Sequence, residues 1–113
     1  MQLDDATDLA RRVRGLYHQL ETAHEGSPWG VKDDMLGLVN DVGTVARLVM
    51  ASEGRWAPEG DVPTLLQGKL AECLWWILVL ADRLDVDIAE AYGTTLGGIE
   101  EHLQGSVARL PPA

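Results

Sequence analysis

The chain has 113 residues, enough for one domain with a modest core and too few for two. Nine basic against eighteen acidic residues leave a formal charge of −9, and without a basic cluster such a chain is ill suited to a phosphate backbone, so no nucleic-acid polymer is expected as partner. A hydrophobic fraction of 46% fits a packed core, and a single cysteine excludes an internal disulfide or a cysteine-rich zinc site.

Helical periodicity runs from end to end. Leu3, Ala6, Leu9, Ala10, Val13, Leu16, Tyr17, Leu20 and Ala23 fall at steps of three and four and predict an amphipathic helix over 4–25, stopped near Gly26-Ser27-Pro28. Arg11, Arg12 and Arg14 share the other side with Asp8 and Glu21, a pattern that predicts a solvated face. A second helix, 32–52, begins where Asp33 and Asp34 suit the positive helix terminus and carries Met35, Leu38, Val42, Val45, Ala46, Val49 and Met50 as its stripe. The stretch from Glu53 to Pro63, with two prolines and two glycines, reads as a loop.

The third helix, 64–84, holds the apolar run Cys73 to Ala81, which faces every direction and predicts burial all round, in part against a second subunit. Asp87 and Glu90 start a fourth helix over 87–108, continued by Ile88, Ala91, Tyr92, Thr95, Ile99 and Leu103. The expected fold is an all-α four-helix bundle, completed by dimerisation. Met1-Gln2-Leu3-Asp4-Asp5 lacks the pattern of a secretory signal, and the nine-residue run is short of a bilayer span. The expectation is a soluble, cytoplasmic chain with no membrane partner.

Sequence templates for nucleophilic, phosphate-loop and His-Glu-x-x-His zinc chemistry are absent. Cys73 lies in the apolar run and is expected to be inert, while His18, His24 and His102 read as surface or capping residues. Polar residues within the otherwise core-facing helices remain. Asp41 and Thr44 share a face of the second helix, and Lys69 and Glu72 share one on the third. Inward carboxylates on facing helices build divalent-metal sites in bundles, and a salt bridge of Lys69 with Asp41 or Glu72 is the plainer reading of the same spacing.

Three segments carry a family likeness. Leu38-Val39-Asn40-Asp41-Val42-Gly43-Thr44-Val45-Ala46 resembles the Glu-Val-Gly-Glu-Leu segment of MazG-like proteins, of the all-α nucleoside triphosphate pyrophosphohydrolase superfamily. Lys69-Leu70-Ala71-Glu72-Cys73-Leu74-Trp75 is similar to their Glu-Leu-Ala-Asp-x-Leu-Trp, and Val79 to Ile88 to their Leu-Ala-x-x-x-Gly-Ile-Asp-Leu. Trp29 sits where many members carry a tryptophan before the second helix, a candidate for stacking on a base.

The resemblance implies magnesium held against a triphosphate by five carboxylates, which fall on Asn40, Asp41, Thr44, Lys69 and Glu72. Only Asp41 and Glu72 keep a carboxylate, so the set carries −1 instead of −5. Magnesium wants carboxylate oxygens in near-octahedral order. An ammonium at about 4 Å, under an effective dielectric of 20, opposes each unit of its charge by about 4 kcal/mol.

Three readings follow. The first is a MazG-like domain with a degenerate metal site that binds a nucleotide or related small molecule through Trp29, Asn40 and Thr44, with impaired hydrolysis. The second is an active magnesium enzyme releasing a nucleoside monophosphate and pyrophosphate, with Asp33, Asp34, Glu53 or Asp61 supplying ligands; Asp34 lies seven residues before Asp41 on the same face. The third is a metal-free enzyme using Asp41, Lys69 and Glu72 as acid–base groups. Trp75 and Trp76 are expected to pack in the core or against a second subunit, and Trp56 to lie in a loop that covers a pocket.

Overall fold

The computed structural model describes residues 1–112, which form four helices and, among the described residues, no strand. They are α1 (Leu3–Glu25), α2 (Val31–Ser52), α3 (Val62–Arg83) and α4 (Ile88–Ala108). Local chemistry sets their ends. Gly26, at φ 87, takes the left-handed conformation that closes α1, and its amide donates to the Thr22 carbonyl. The Gly30 amide donates to the Asp33 carboxylate at 2.9 Å to open α2. Pro63 stands in the first turn of α3, where a missing N–H costs nothing. Asp87 caps α4 by accepting the Glu90 amide at 3.1 Å.

α2 and α3 lie antiparallel along their lengths, with Asp34 opposite Arg83 and Asp41 opposite both Trp76 and Lys69. α1 packs against α3, where Ala10, Leu78 and Val79 form the core and Leu3, Ala6, Trp75 and Ile88 close around it. Burying a side chain such as Leu78 contributes about 1.5–3 kcal/mol.

α4 extends away from these three helices. None of its residues is buried, and Tyr92, Leu96, Ile99, Leu103 and Val107 form an exposed apolar stripe along it. The radius of gyration is 18.4 Å, against about 13 Å for a compact chain of this length.

Two expectations are corrected. The charged side of α1 is not a uniformly solvated face: Arg14 is 4% exposed and lies against α2, whereas Leu9, Leu16, Tyr17 and Leu20 are exposed. A buried guanidinium needs carboxylates, and α1 turns toward the two that α2 and its own next turns provide. The run in α3 is not buried all round, because Leu74 and Ile77 are exposed while Trp76, Leu78, Val79 and Ala81 are buried. α2 and α3 are each long and apolar enough, by length and composition, to cross a membrane, as core helices of this length also are. In the fold these two helices pair with each other, and Asp41 meets Lys69 across their interface.

Candidate functional site

Asp41 and Glu72 come together as their helices dictate, with Lys69 between them. The Lys69 ammonium lies 3.4 Å from Asp41 Oδ1 and 3.1 Å from Glu72 Oε2. The hydrogen bond to Glu72 holds the Lys69 pKa above its ordinary value; burial opposes this, and Asp41 reinforces it. Asp41 is itself buried and has no free oxygen. Its Oδ2 accepts the Trp76 indole N–H at 2.9 Å, and its Oδ1 also accepts from Asn40 Nδ2 at 3.4 Å. Thr44 turns away, its hydroxyl donating to the Asn40 carbonyl at 3.3 Å.

Of the five positions suggested by the metal pattern, Asp41, Lys69 and Glu72 are thus gathered as an ion-paired cluster, Asn40 donates to its edge, and Thr44 stays outside it. Among the described residues, no three His, Cys, Asp or Glu side chains converge as metal ligands do. A donor set with one ammonium at its centre and one carboxylate wholly committed to hydrogen bonds does not fit magnesium.

A second polar network lies toward the other end of α2. Asp34, fully buried, is paired with Arg14 at 3.0 Å and with Arg83 at 2.7 Å. Arg14 also reaches Glu21 at 3.0 Å. Burial pushes the Glu21 carboxyl up, but the Arg14 and Trp29 hydrogen bonds outweigh it and hold the group below its ordinary range. This network fixes the backbone of Trp29 from both sides. Its amide donates to Glu21 Oε1 at 2.7 Å, and its carbonyl accepts from Arg83 at 2.9 Å. Asp34 is therefore no spare metal ligand, which corrects that part of the active-enzyme reading.

Between the two networks stands a wall of aromatic rings. Trp29 and Trp76 lie nearly parallel, 13° apart with centroids at 6.2 Å, and Trp75 tilts against Trp76 at 4.5 Å. Tyr17 meets Trp75 at 5.5 Å. Gly37 makes room for this arrangement: a Cβ there would stand 2.5 Å from the Trp76 ring. The four aromatics line a cavity of about 670 Å³ that also touches Asp41 and Glu72. Comparison with family models, curated proteins and solved structures yields no match.

The cavity lies in the size range of small-molecule sites, which are mostly apolar with a few placed polar groups. Trp29 therefore borders it as a ring stacked on Trp76, while Trp56 lines a separate, smaller cavity with Thr44 and Lys69. Tyr17, Glu21, Glu25 and Arg14 also line the main cavity, and none was expected there. The one hint in the sequence was the spacing of Asp34 and Asp41 on one face of α2, which required a basic partner that could equally have come from any helix. Cys73 is partly buried, and burial pushes its thiol pKa up, in keeping with an unreactive side chain.

His18 departs from the surface reading. Its Nε2 is buried and has no hydrogen-bond partner. Burial first, then the Arg14 and Arg83 charges, lower its pKa from 6.5 and outweigh the opposing pull of Glu21 and Asp34. The unfolded chain thus binds this proton more readily than the folded one. Stability from the neutral imidazole is present above pH 6.5 and falls as the pH drops through 6.5 toward the lower folded value. The urea midpoint is expected to decline between pH 7.5 and about 5.5 with uptake of less than one proton per chain, and the His18→Gln chain to lack that decline. An unchanged midpoint in the parent chain over this window contradicts the assignment.

Proposed function

We propose that the chain is a MazG-like module in which the Lys69 ammonium stands where magnesium would be held, and that it binds a small molecule without hydrolysing triphosphates. The observation that carries this reading is the bridge from Lys69 to both Asp41 and Glu72. It neutralises part of the carboxylate charge that a divalent ion needs, by a group tethered to α3 beside the site. Asp85 adds support to the family likeness. It adopts φ 57, in the left-handed region, at the place where the resembled Leu-Ala-x-x-x-Gly-Ile-Asp-Leu pattern has glycine.

The active-enzyme alternative needs further carboxylates near Asp41. Asp34 is locked by two arginines, and Asp33 and Asp61 accept hydrogen bonds at the starts of their helices. A second copy of the chain is the macromolecular partner that this reading adds. The apolar stripe of α4 and the exposed Leu16, Leu20 and Ile77 are surfaces that a monomer in cytoplasmic water would leave bare.

The test is pyrophosphate release from a panel of standard and modified nucleoside triphosphates with magnesium or manganese. The expected result is no release above that of the Glu72→Ala chain. Release that Glu72→Ala abolishes overturns the proposal and restores a magnesium enzyme.

A further inference from the structure

We infer that the aromatic cavity takes an organic cation with an apolar body, a quaternary or protonated amine on a hydrocarbon or aromatic frame. This rests on the metal-free, small-molecule reading of the same site and names the class of ligand.

The wall offers aromatic surface and no spare indole donors. Trp29 Nε1 donates to Glu25 Oε2 at 3.1 Å, Trp76 Nε1 to Asp41 Oδ2 at 2.9 Å, and Trp75 Nε1 to the Ala10 carbonyl at 3.1 Å. An indole whose N–H is held by a carboxylate is polarised toward its ring, and this deepens the negative potential over its face. Trp29 and Trp76 are both in that condition, and they stand nearly parallel on the cavity wall. Ring faces of this kind attract cations within about 6 Å of the centroid, tryptophan most strongly.

The charges around the cavity point the same way. Arg14 and Arg83 are matched by Glu21 and Asp34, so that network is neutral within itself. Asp41 and Glu72 share the single positive charge of Lys69, which leaves one negative charge uncompensated. Glu25, which among the described residues has the Trp29 indole as its one hydrogen-bond partner, adds a second. A triphosphate entering this cavity finds four carboxylate side chains and aromatic rings, and among the described residues the one cationic side chain on the lining, Arg14, is already ion-paired. An ammonium finds charge complementarity, while the apolar lining from Ala6, Leu9, Val13 and Leu74 accepts its frame.

The experiment titrates the full chain with benzyltrimethylammonium and with neopentylbenzene, its neutral isostere, following tryptophan emission and heat. ATP, with and without magnesium, is titrated alongside. The cation is expected to bind about tenfold more tightly than the isostere, and ATP more weakly than the cation. Glu25→Gln keeps an acceptor for the Trp29 indole and removes the charge; it is expected to cut the cation preference about threefold, leaving the isostere unmoved. Equal affinity for the two probes, a cavity closed to both, or tighter binding of ATP overturns the cation assignment. Pyrophosphate release from the panel above is a separate readout, so failure of the cation preference without release leaves the metal-free reading standing.

Discussion

Arg14→Leu is expected to destabilise the fold by about 3–5 kcal/mol, the range for removing one partner of a buried ion pair. The substitution leaves Asp34, which is fully buried, with Arg83 as its remaining cationic partner, and strips Glu21 of its bidentate contact. Against the roughly 5–15 kcal/mol that holds a domain of this kind together, that is a large fraction. The loss spreads to the site, because Glu21 holds the Trp29 amide and Arg83 the Trp29 carbonyl. Urea unfolding gives the magnitude, and a red shift of tryptophan emission reports the loosened ring. Arg11 provides the contrast: it is exposed, its partner Asp8 is exposed and Asp82 is only partly buried, and Arg11→Leu is expected to lower the urea midpoint much less than Arg14→Leu. A loss under about 1 kcal/mol for Arg14→Leu contradicts the view that this network is a structural anchor.

The difference between Arg11 and Arg14 also marks what periodicity conveys. Both fall on the polar side of the helical wheel of α1, and only contacts with α2 and α3 distinguish a surface arginine from one enclosed by Glu21 and Asp34. Apolar spacing was sufficient for four helices, since Gly26, Pro63 and Asp87 punctuate the chain where helices end and begin. It was insufficient for deciding which apolar face is covered. The stripes of α1 and α4 are as regular as those that pack, yet Leu16, Leu20 and Leu103 remain exposed, because spacing records a face and not its neighbour.

The Asp41, Lys69 and Glu72 cluster was legible because i,i+3 spacing fixes pairs on one helix, and polar residues in otherwise core-facing helices need partners across the interface. The commitment of Asp41 to the Trp76 indole was not. It depends on the orientation of a ring that Gly37 admits, and no spacing rule connects residues 35 apart. The aromatic wall was hidden for the same reason: Tyr17, Trp29 and the Trp75-Trp76 pair come from three separate stretches of chain.

The proposal that an ammonium stands in for a metal ion is tested most directly by titrating manganese into the parent chain and into the Thr44→Glu/Lys69→Glu chain, with binding read by electron paramagnetic resonance. In the parent, Asp41, Lys69 and Glu72 hold one net negative charge, and the ammonium lies within 3.4 Å of both carboxylates. The double substitution removes that positive charge and adds two carboxylates on the facing helices. Each pairwise change at about 4 Å is worth several kcal/mol per unit of metal charge under an effective dielectric of 20, and solvation of the new carboxylates offsets part of it. The parent is expected not to bind up to millimolar manganese, and the double variant to bind at least about a hundredfold more tightly, with helicity unchanged. Micromolar binding by the parent with Lys69 in place, or a folded double variant that binds no better than the parent, would contradict the proposal.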